Sequence, residues 1–383
     1  MINKKYSILN NNQINYLSYF TALVPAALIT GPFLADLIVS ISAIFFLYLS
    51  FKEKFNFFKN HWIIKLLILF CIYLSFKSLI NNEEMYSLIR SLFYVRYVFF
   101  SLLVCYLYNL NPSFSKIFLK ILTLTLIILA THAYLIHFIN FDLLKMNFGK
   151  ISLKQNFSII YNQWNVPYDY RISGLFYDES ILGSYVEKIL PIYLGLIFLN
   201  QKSIKYYILA IIFFFLIIIS GERSSIALSI LFLVTFSLSY KSNIKEKFYF
   251  VTIFVLTIVL IFSNPNLKKR IVDNTIFSFT ENKIQTSQNN ELINKEKIKL
   301  NIFSLGHQGH FTSAYKIFLD NPIFGVGIKQ FRYECKKPEY YDTFACTTHP
   351  HNTYLQLLAE TGIIGFLFIF TIFIYLSFII FKI

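Results

Sequence analysis

The chain has 383 residues, of which 56% are hydrophobic and 19% aromatic, while only 14% are charged. This profile is typical of polytopic membrane proteins and excludes an ordinary water-soluble globular domain. The formal net charge of +15 is weak evidence for nucleic-acid binding, because much of it lies in lysines that flank apolar runs and reflects membrane topology.

Apolar runs of the length that a bilayer requires follow one another along the chain. Nine of them lie at 33–51, 62–80, 88–108, 117–139, 181–199, 204–220, 224–240, 247–263 and 362–381. A tenth and weaker run covers 16–30, where Pro25 interrupts it, and we expect it to be retained rather than cleaved as a signal peptide. The sequence therefore predicts an all-α polytopic membrane protein with about ten transmembrane helices.

Lysines orient these runs, because short cytoplasmic loops of membrane proteins accumulate them. They gather in alternate loops, at Lys4, Lys5, Lys52, Lys54, Lys59, Lys116, Lys202, Lys205, Lys241, Lys245, Lys247 and Lys382. This pattern predicts a multi-pass protein of a bacterial inner (cytoplasmic) membrane, with a cytoplasmic N-terminus and an active site on the periplasmic side.

The order of runs and loops predicts the organisation of the chain. It consists of N-terminal transmembrane helices at 1–139, a first periplasmic loop at 140–180, central transmembrane helices at 181–263, a large periplasmic loop at 264–351 and a C-terminal transmembrane helix at 352–383. An even number of spans separates the two long loops, so both lie on one face and can build a site together.

His351 is the leading candidate for catalysis, since a polar loop enters the last apolar run there. We expect it to begin a helical face that continues through Tyr354, Leu355 and Leu358. The positive end of a helix disfavours imidazolium, so the ring would stay neutral and able to accept a proton.

Two arginines are predicted to lie on the same outer face as His351. Arg171 precedes one span and Arg223 lies at the turn between two others. Guanidinium groups bind phosphate bidentately, which suits a phosphate or diphosphate substrate. The alternative is that each arginine anchors a span at the lipid headgroups. Glu179 could orient a sugar hydroxyl or pair with Arg171.

Arg90 and Arg96 fall within or near the third run. An unpaired charge there costs several kcal/mol, so such residues usually face a polar cavity. They could hold a lipid diphosphate, or they could pair with Glu83, Glu84 or Glu187.

Cys335 and Cys346 share the large outer loop. An oxidising compartment allows them to form a disulfide, and the alternative is two free thiols.

Four histidines, His307, His310, His349 and His351, raise the question of a zinc site. No Cys-x-x-Cys or His-Glu-x-x-His pattern accompanies them, and His307 and His310 stand among glycines, which favours a solvated loop. We therefore expect no metal. The chain also has no Walker-type or dinucleotide-binding glycine motif, so we expect no nucleotide cofactor.

Four elements resemble the bacterial O-antigen ligase and O-antigen polymerase family. In chain order they are Arg171-Ile-Ser-Gly-Leu-Phe176, Gly221-Glu-Arg-Ser-Ser225, Asp320-Asn-Pro-Ile-Phe-Gly-Val-Gly327 and His351-Asn-Thr-Tyr-Leu-Gln-Leu-Leu-Ala-Glu-Thr-Gly362. The resemblance covers roughly residues 165–365, and the last element is the most specific.

The resemblance implies a C-type glycosyltransferase fold and a glycan donor carried on undecaprenyl diphosphate, used without a nucleotide sugar or a metal. It implies that His351 deprotonates or positions the acceptor hydroxyl, and that Arg171 and Arg223 stabilise the departing diphosphate. The anomeric carbon would be inverted, and Glu360 would support the loop or helix. Relatives often carry a further arginine in the large loop, for which His310 or Arg270 could substitute.

The sequence does not identify the acceptor. It could be a glycan on a second lipid-linked repeat unit, a lipid-A-core sugar or a protein hydroxyl, because all three would use the same donor chemistry. A second class of function, a transporter or flippase of a polysaccharide or lipid-linked sugar, predicts movement of the substrate without a new glycosidic bond.

Overall fold

The computed structural model describes residues 9–52, 62–80, 85–139, 171–176, 179–200, 203–239, 244–273, 275–276, 305–342 and 346–382. These residues form helices, turns and short irregular segments and contain no strand. The prediction of an all-α protein is therefore confirmed for the part of the chain that is described. Most of the predicted first outer loop, at 140–170 and 177–178, lies outside it.

The helices are listed here in chain order. They are α1 (Asn11–Ala22), α2 (Val24–Ile29), α3 (Pro32–Lys52), α4 (Trp62–Ile80), α5 (Met85–Phe93), α6 (Val95–Leu110), α7 (Phe114–Ile139), α8 (Leu182–Asn200), α9 (Ile204–Ile219), α10 (Arg223–Ser239), α11 (Ile244–Ser263), α12 (Pro265–Lys268), α13 (Leu305–Asp320), α14 (Phe331–Glu334) and α15 (Thr353–Lys382). A 3₁₀ turn (Gly174–Phe176) precedes α8 and a π-turn (Lys269–Asp273) follows α12.

Several of these helices can cross a membrane. Within the described ranges, six helical stretches are long and apolar enough, namely Pro32–Lys52, Trp62–Leu79, Ser87–Leu110, Phe114–Phe138, Leu182–Asn200 and Thr353–Ile379. Ile204–Ile219 and Arg223–Phe236 are shorter apolar helices. These helices indicate a multi-pass membrane protein, whereas the arrangement with about ten spans remains a proposal.

Large apolar side chains on the outside of the helices agree with a lipid environment. Phe33 and Phe51 on α3 are 74% and 69% exposed, and Phe378 on α15 is 64% exposed. Apolar surface repeated along whole helices is unfavourable in water but matches hydrocarbon chains.

Two predicted runs are interrupted. The run at 88–108 was expected as one helix, but α5 ends and α6 begins around Tyr94, whose N–H bonds to the Ser91 carbonyl at 3.2 Å. The run at 16–30 is divided at Leu23, two residues before Pro25, into α1 and α2. Hydropathy locates both runs, and Pro25 indicates the interruption of this one, but hydropathy does not indicate the break near Tyr94.

The chain forms two compact units. The first unit comprises Met1–Ile38 and Tyr106–Ile276, and the second comprises Val39–Cys105 and Phe277–Ile383. In the first unit, α7, α8 and α9 pack against one another. Leu126, Val186 and Ile217, one from each of these helices, are completely buried in its core.

The second unit is organised around α15, which packs against α4, α13 and α14. Its core includes the buried side chains of Ala314, Ile317, Phe331 and Ala359. This unit carries the loop that leads to His351.

Candidate functional site

In the first unit, the turn between α9 and α10 carries Arg223. The N–H of Ile172 donates to the Ser220 carbonyl of this turn at 3.1 Å. Arg171, the exposed neighbour of Ile172, therefore begins a segment that is attached to the turn. Two arginines predicted to bind a diphosphate are thus brought to the same part of this unit.

A third arginine, Arg270, contacts the same turn. Its side chain is only 4% exposed, and its Nε donates to the Gly221 carbonyl at 3.2 Å. Arg223 Nη1 in turn donates to the Thr275 hydroxyl at 3.3 Å. Of the two residues considered for an additional cationic position, Arg270 therefore belongs to this turn, whereas His310 lies in the second unit.

Glu222 links the turn to the start of α8. The carboxylate is buried and accepts hydrogen bonds from the N–H groups of Gly183 at 2.6 Å and Ser184 at 3.1 Å. The hydroxyl groups of Ser184 and Ser225 also donate to it. A carboxylate at the N-terminus of a helix satisfies otherwise unpaired N–H groups and stabilises the helix end. Glu222 therefore fixes the backbone from which Arg223 projects.

Glu179 lies just before α8 in the same unit, with an exposed side chain. Its N–H bonds to the Phe176 carbonyl at 3.1 Å. This places Glu179 between the segment of Arg171 and the helix that Glu222 caps.

In the second unit, His351 lies before α15 rather than on it. The helix begins at Thr353, and the Asn352 side chain caps it by accepting from the N–H groups of Tyr354 and Leu355 at 3.0 and 3.1 Å. His351 itself has a φ of 54°. The expectation that it begins a helical face is wrong, because Asn352 is the better N-cap residue and starts the helix after the histidine.

Three other histidine rings surround His351. The ring centroids of His349, His310 and His307 lie 4.3, 5.0 and 5.9 Å from that of His351. His307 and His310 belong to α13. The interpretation of these two residues as part of a solvated loop is therefore wrong, and the Gly-rich start of α13 does not prevent a helix.

This environment keeps His351 neutral. Partial burial, followed by the electrostatic effect of His349, His310 and His307, lowers the pKa of His351 to about 4. Partial burial also lowers the pKa of His349, with Lys329, His310 and Arg332 contributing. An imidazole with a pKa below neutrality is unprotonated and can accept a proton, as a general base must.

Within the described ranges, no group of three or more His, Cys, Asp or Glu side chains is arranged to hold a metal ion. The electrostatic effect of the neighbouring histidines contributes to the lowered pKa of His351.

A glycine turn packs into a kink of α15. At Gly362 the backbone leaves the helical conformation, with φ 63° and ψ −172°. The freed N–H of Ile363 bonds to the Pro322 carbonyl at 2.8 Å, and the Ala359 carbonyl accepts from Val326 at 2.9 Å. A broken helix in a membrane protein requires such replacement partners, because lipid offers none.

Replacing Gly325 with alanine should destabilise the second unit. Gly325 has a φ of 65°, and a Cβ there would lie 2.5 Å from the backbone of Glu360 and Thr361. We expect a cost of about 2–5 kcal/mol from the left-handed conformation and the overlap. Thermal unfolding of the detergent-purified protein measures it. Gly195→Ala is the matched control, because no atom lies within 4 Å of a Cβ at Gly195, and an equal effect of the two changes would contradict this account.

Two non-glycine residues in the described part of the chain have positive φ. They are Lys329, at 63°, and His351. The left-handed conformation costs about 1–2 kcal/mol for such residues, and it occurs preferentially where function requires a side chain to be presented in one direction.

Glu360 contacts the segment that follows the glycine turn. Its side chain is 5% exposed, and its Oε1 has no hydrogen-bond partner among the described residues. Gln356 Nε2 donates to Oε2 at 3.2 Å, and the Glu360 carbonyl accepts from Gly327 at 2.8 Å. Glu360 therefore joins α15 to the segment that follows the glycine turn.

Arg90 and Arg96 line a cavity of about 430 Å³ in the second unit. Lys329 contributes a third cation, and aromatic side chains form much of the remaining wall, namely Phe93, Tyr94 and Tyr97. Arg96 Nη2 donates to the Tyr97 hydroxyl at 2.9 Å, and its guanidinium carbon lies 4.9 Å from the Tyr97 ring centroid. The alternative partners Glu83 and Glu84 lie outside the described residues.

Cys335 and Cys346 are joined by a disulfide in the structure, with their Cα atoms 5.4 Å apart. Cys335 is buried in the core of the second unit beside Phe331. The bond ties the chain that precedes His349 and His351 to this core.

Sequence reasoning missed three contributors to these arrangements: Glu222, Lys329 and Tyr73. Glu222 stands directly before a candidate arginine, which was a usable signal. The Tyr73 hydroxyl donates to the Thr361 carbonyl at 2.7 Å across 288 residues of chain. No local pattern reveals a contact of that sequence separation.

Comparison with protein families gives one match. The family model described as O-antigen ligase matches residues 208–370. The matched region contains Arg223, Arg270, Glu360 and His351 and begins after Arg171. No curated protein and no solved structure matches the chain. The resemblance seen in the sequence is confirmed over the matched region.

Proposed function

We propose that the chain transfers a glycan from undecaprenyl diphosphate to an acceptor hydroxyl at the periplasmic face of a bacterial inner membrane. The match of residues 208–370 to the O-antigen ligase family supports this proposal. The proposal rests mainly on the protonation state and the conformation of His351. It is a neutral imidazole within the matched region, presented in a strained conformation at the start of an apolar helix. The proposal includes about ten spans and a C-type glycosyltransferase fold.

His351 is the general base of this reaction. It takes the proton of the acceptor hydroxyl while that oxygen attacks the anomeric carbon. The new C–O bond forms as the bond to the diphosphate oxygen breaks, and the bonding electrons leave with the diphosphate. A single displacement of this kind inverts the anomeric carbon.

Arg171 and Arg223 stabilise the leaving diphosphate, whose negative charge increases in the transition state. Guanidinium forks match phosphate oxygens in geometry and remain charged at all relevant pH values. Arg270 and Glu222 are positioning residues, because Arg270 bonds to the turn that carries Arg223, and Glu222 joins that turn to the start of α8.

Detection of a new glycosidic bond tests the proposal. The purified chain is reconstituted in liposomes with an undecaprenyl-diphosphate-linked glycan and an acceptor, and the products are analysed by mass spectrometry. We expect a longer or transferred glycan together with free undecaprenyl diphosphate. Movement of the lipid-linked glycan between leaflets, without a new bond, would support a transporter instead.

The same assay gives a pH dependence. Since the pKa of His351 lies near 4, below the ordinary value of 6.5, the base form persists in mildly acidic solution, and kcat/KM should fall only as the pH drops through about 4. His349→Ala removes a neighbouring charge that lowers this pKa, so the acid limb should move to higher pH. A profile that is identical in the two proteins would contradict the role of the histidine cluster.

A further inference from the structure

We propose that the disulfide between Cys335 and Cys346 positions His351, and that efficient glycan transfer therefore requires this bond. The inference rests on the proposed function and adds to it a positioning group, which acts through the base rather than on the substrate. It concerns the second unit alone, because both cysteines and His351 belong to that unit.

Cys335 provides a fixed attachment point. Its side chain is fully buried in the core of the second unit, together with those of Phe331 and Ala359. Its N–H donates to the Phe331 carbonyl at 2.9 Å, at the end of α14. The disulfide joins Cys346 to this point, with the two Cα atoms 5.4 Å apart. The chain that leads to His351 is therefore anchored to the core at Cys346.

Residues 347–351 connect this anchor to α15. At their far end, the Asn352 side chain caps α15 by accepting from two N–H groups of its first turn. Within the connection, Pro350 is buried and the other residues are exposed. The Thr347 hydroxyl donates to the His349 carbonyl at 2.7 Å, a contact inside the segment. Because packing covers little of this segment, its position depends on the anchors at its two ends.

The conformation of His351 needs such anchors. Its φ of 54° is unfavourable for a residue with a Cβ, and a strained backbone persists only where the surrounding structure over-determines it. A short segment fixed at both ends has few alternatives, whereas one released at Cys346 would relax. The disulfide thus keeps the imidazole beside α13, where the ring centroids of His310 and His307 lie 5.0 and 5.9 Å away.

Release of the segment should also change the protonation of His351. Partial burial, followed by the electrostatic effect of neighbouring rings, lowers its pKa to about 4. The titratable and charged groups that act on His351 or on its neighbour are His349, His310, His307, Lys329 and Arg332. A released ring moves into water and away from α13, so its pKa rises towards the ordinary value of 6.5. The base is then protonated over more of the acidic pH range.

The liposome transfer assay compares the wild type with the double variant Cys335→Ala, Cys346→Ala. We expect kcat to fall by about 10–100-fold, the scale of a displaced catalytic group, with an unchanged KM for the donor. The acid limb of kcat/KM should move from near pH 4 towards pH 6.5. Cys71→Ala with Cys105→Ala is the matched control, because neither residue belongs to the disulfide, and it should keep the rate within about twofold.

Reduction of this control protein with dithiothreitol repeats the test without a substitution at the disulfide. Two electrons and two protons pass to the bond, which becomes two thiols while the reagent closes to a cyclic disulfide. Alkylation and mass spectrometry verify the two thiols. The reduced protein should show the lower kcat and the shifted acid limb, and reoxidation should reverse both. Dithiothreitol should not alter the double variant Cys335→Ala, Cys346→Ala.

Labelling with diethyl pyrocarbonate, which modifies neutral imidazole, follows His351 independently of transfer. Its pH dependence should give a pKa near 4 for the oxidised protein and nearer 6.5 after reduction. If labelling behaves in this way but no glycosidic bond forms, the proposed function fails and the positioning of His351 stands. An unchanged kcat and acid limb after reduction would overturn the inference. Unfolding on reduction, or a lower kcat with the same acid limb, would overturn it too, because the bond would then serve only stability.

Discussion

His351→Asn should reduce glycan transfer by about 10²–10⁴-fold, which is the usual contribution of a general base. Asparagine has no group that accepts the proton of a hydroxyl at neutral pH. It does tolerate a positive φ, so the backbone conformation of 54° at this position can be kept. The loss should therefore appear in kcat rather than in the amount of folded protein.

The surface glycan of a deletion strain that carries this variant reports the same loss in cells. A core with a single repeat unit would identify a polymerase, whereas a bare core with long chains left on the lipid carrier would identify a ligase. His137→Ala serves as the matched control, because His137 belongs to α7 in the first unit, outside the histidine cluster. Full restoration of the glycan profile by His351→Asn at matched abundance would remove His351 from the mechanism.

The helices could be located from the sequence because hydropathy and length are local properties. The run at 117–139, for example, corresponds to α7, which begins three residues earlier at Phe114. The breaks near Tyr94 and at Gly362 are of another kind. At Gly362, the missing hydrogen bonds are replaced by Pro322 and Tyr73, which are distant in the chain. Local sequence patterns do not indicate hydrogen-bond partners that are distant in the chain.

The residues of the candidate site remain predictions, and the local geometry around His351 differs from what the sequence led us to expect. His351 was expected to be neutral because of a helix end, but partial burial and three nearby rings lower its pKa. Those rings come from two separate segments, α13 and the loop before α15. Lys329 received no role, because its positive φ of 63° is not indicated by any local sequence pattern.

Arg223→Ala should lower kcat by about 10²–10³-fold, the magnitude typical of losing one group that stabilises transition-state charge. Arg223→Lys should recover only part of the rate, since an ammonium group keeps the charge but cannot bind two phosphate oxygens in a planar fork. Initial rates at saturating donor measure both effects. Lys269→Ala is the control, because it removes an exposed cation from the π-turn of Arg270 in the same unit, and it should leave the rate within about twofold.

Combining Arg171→Ala with Arg223→Ala tests whether both arginines act on one diphosphate. Groups that stabilise the same charge are not independent, so the double variant should lose less than the product of the two single losses. Glu222→Gln should resemble a weaker Arg223→Ala, because it disturbs the cap that fixes the turn while the guanidinium stays present. If the single losses multiply fully, the two arginines act separately, and Arg171, which precedes the matched region, would instead anchor its segment at the membrane surface.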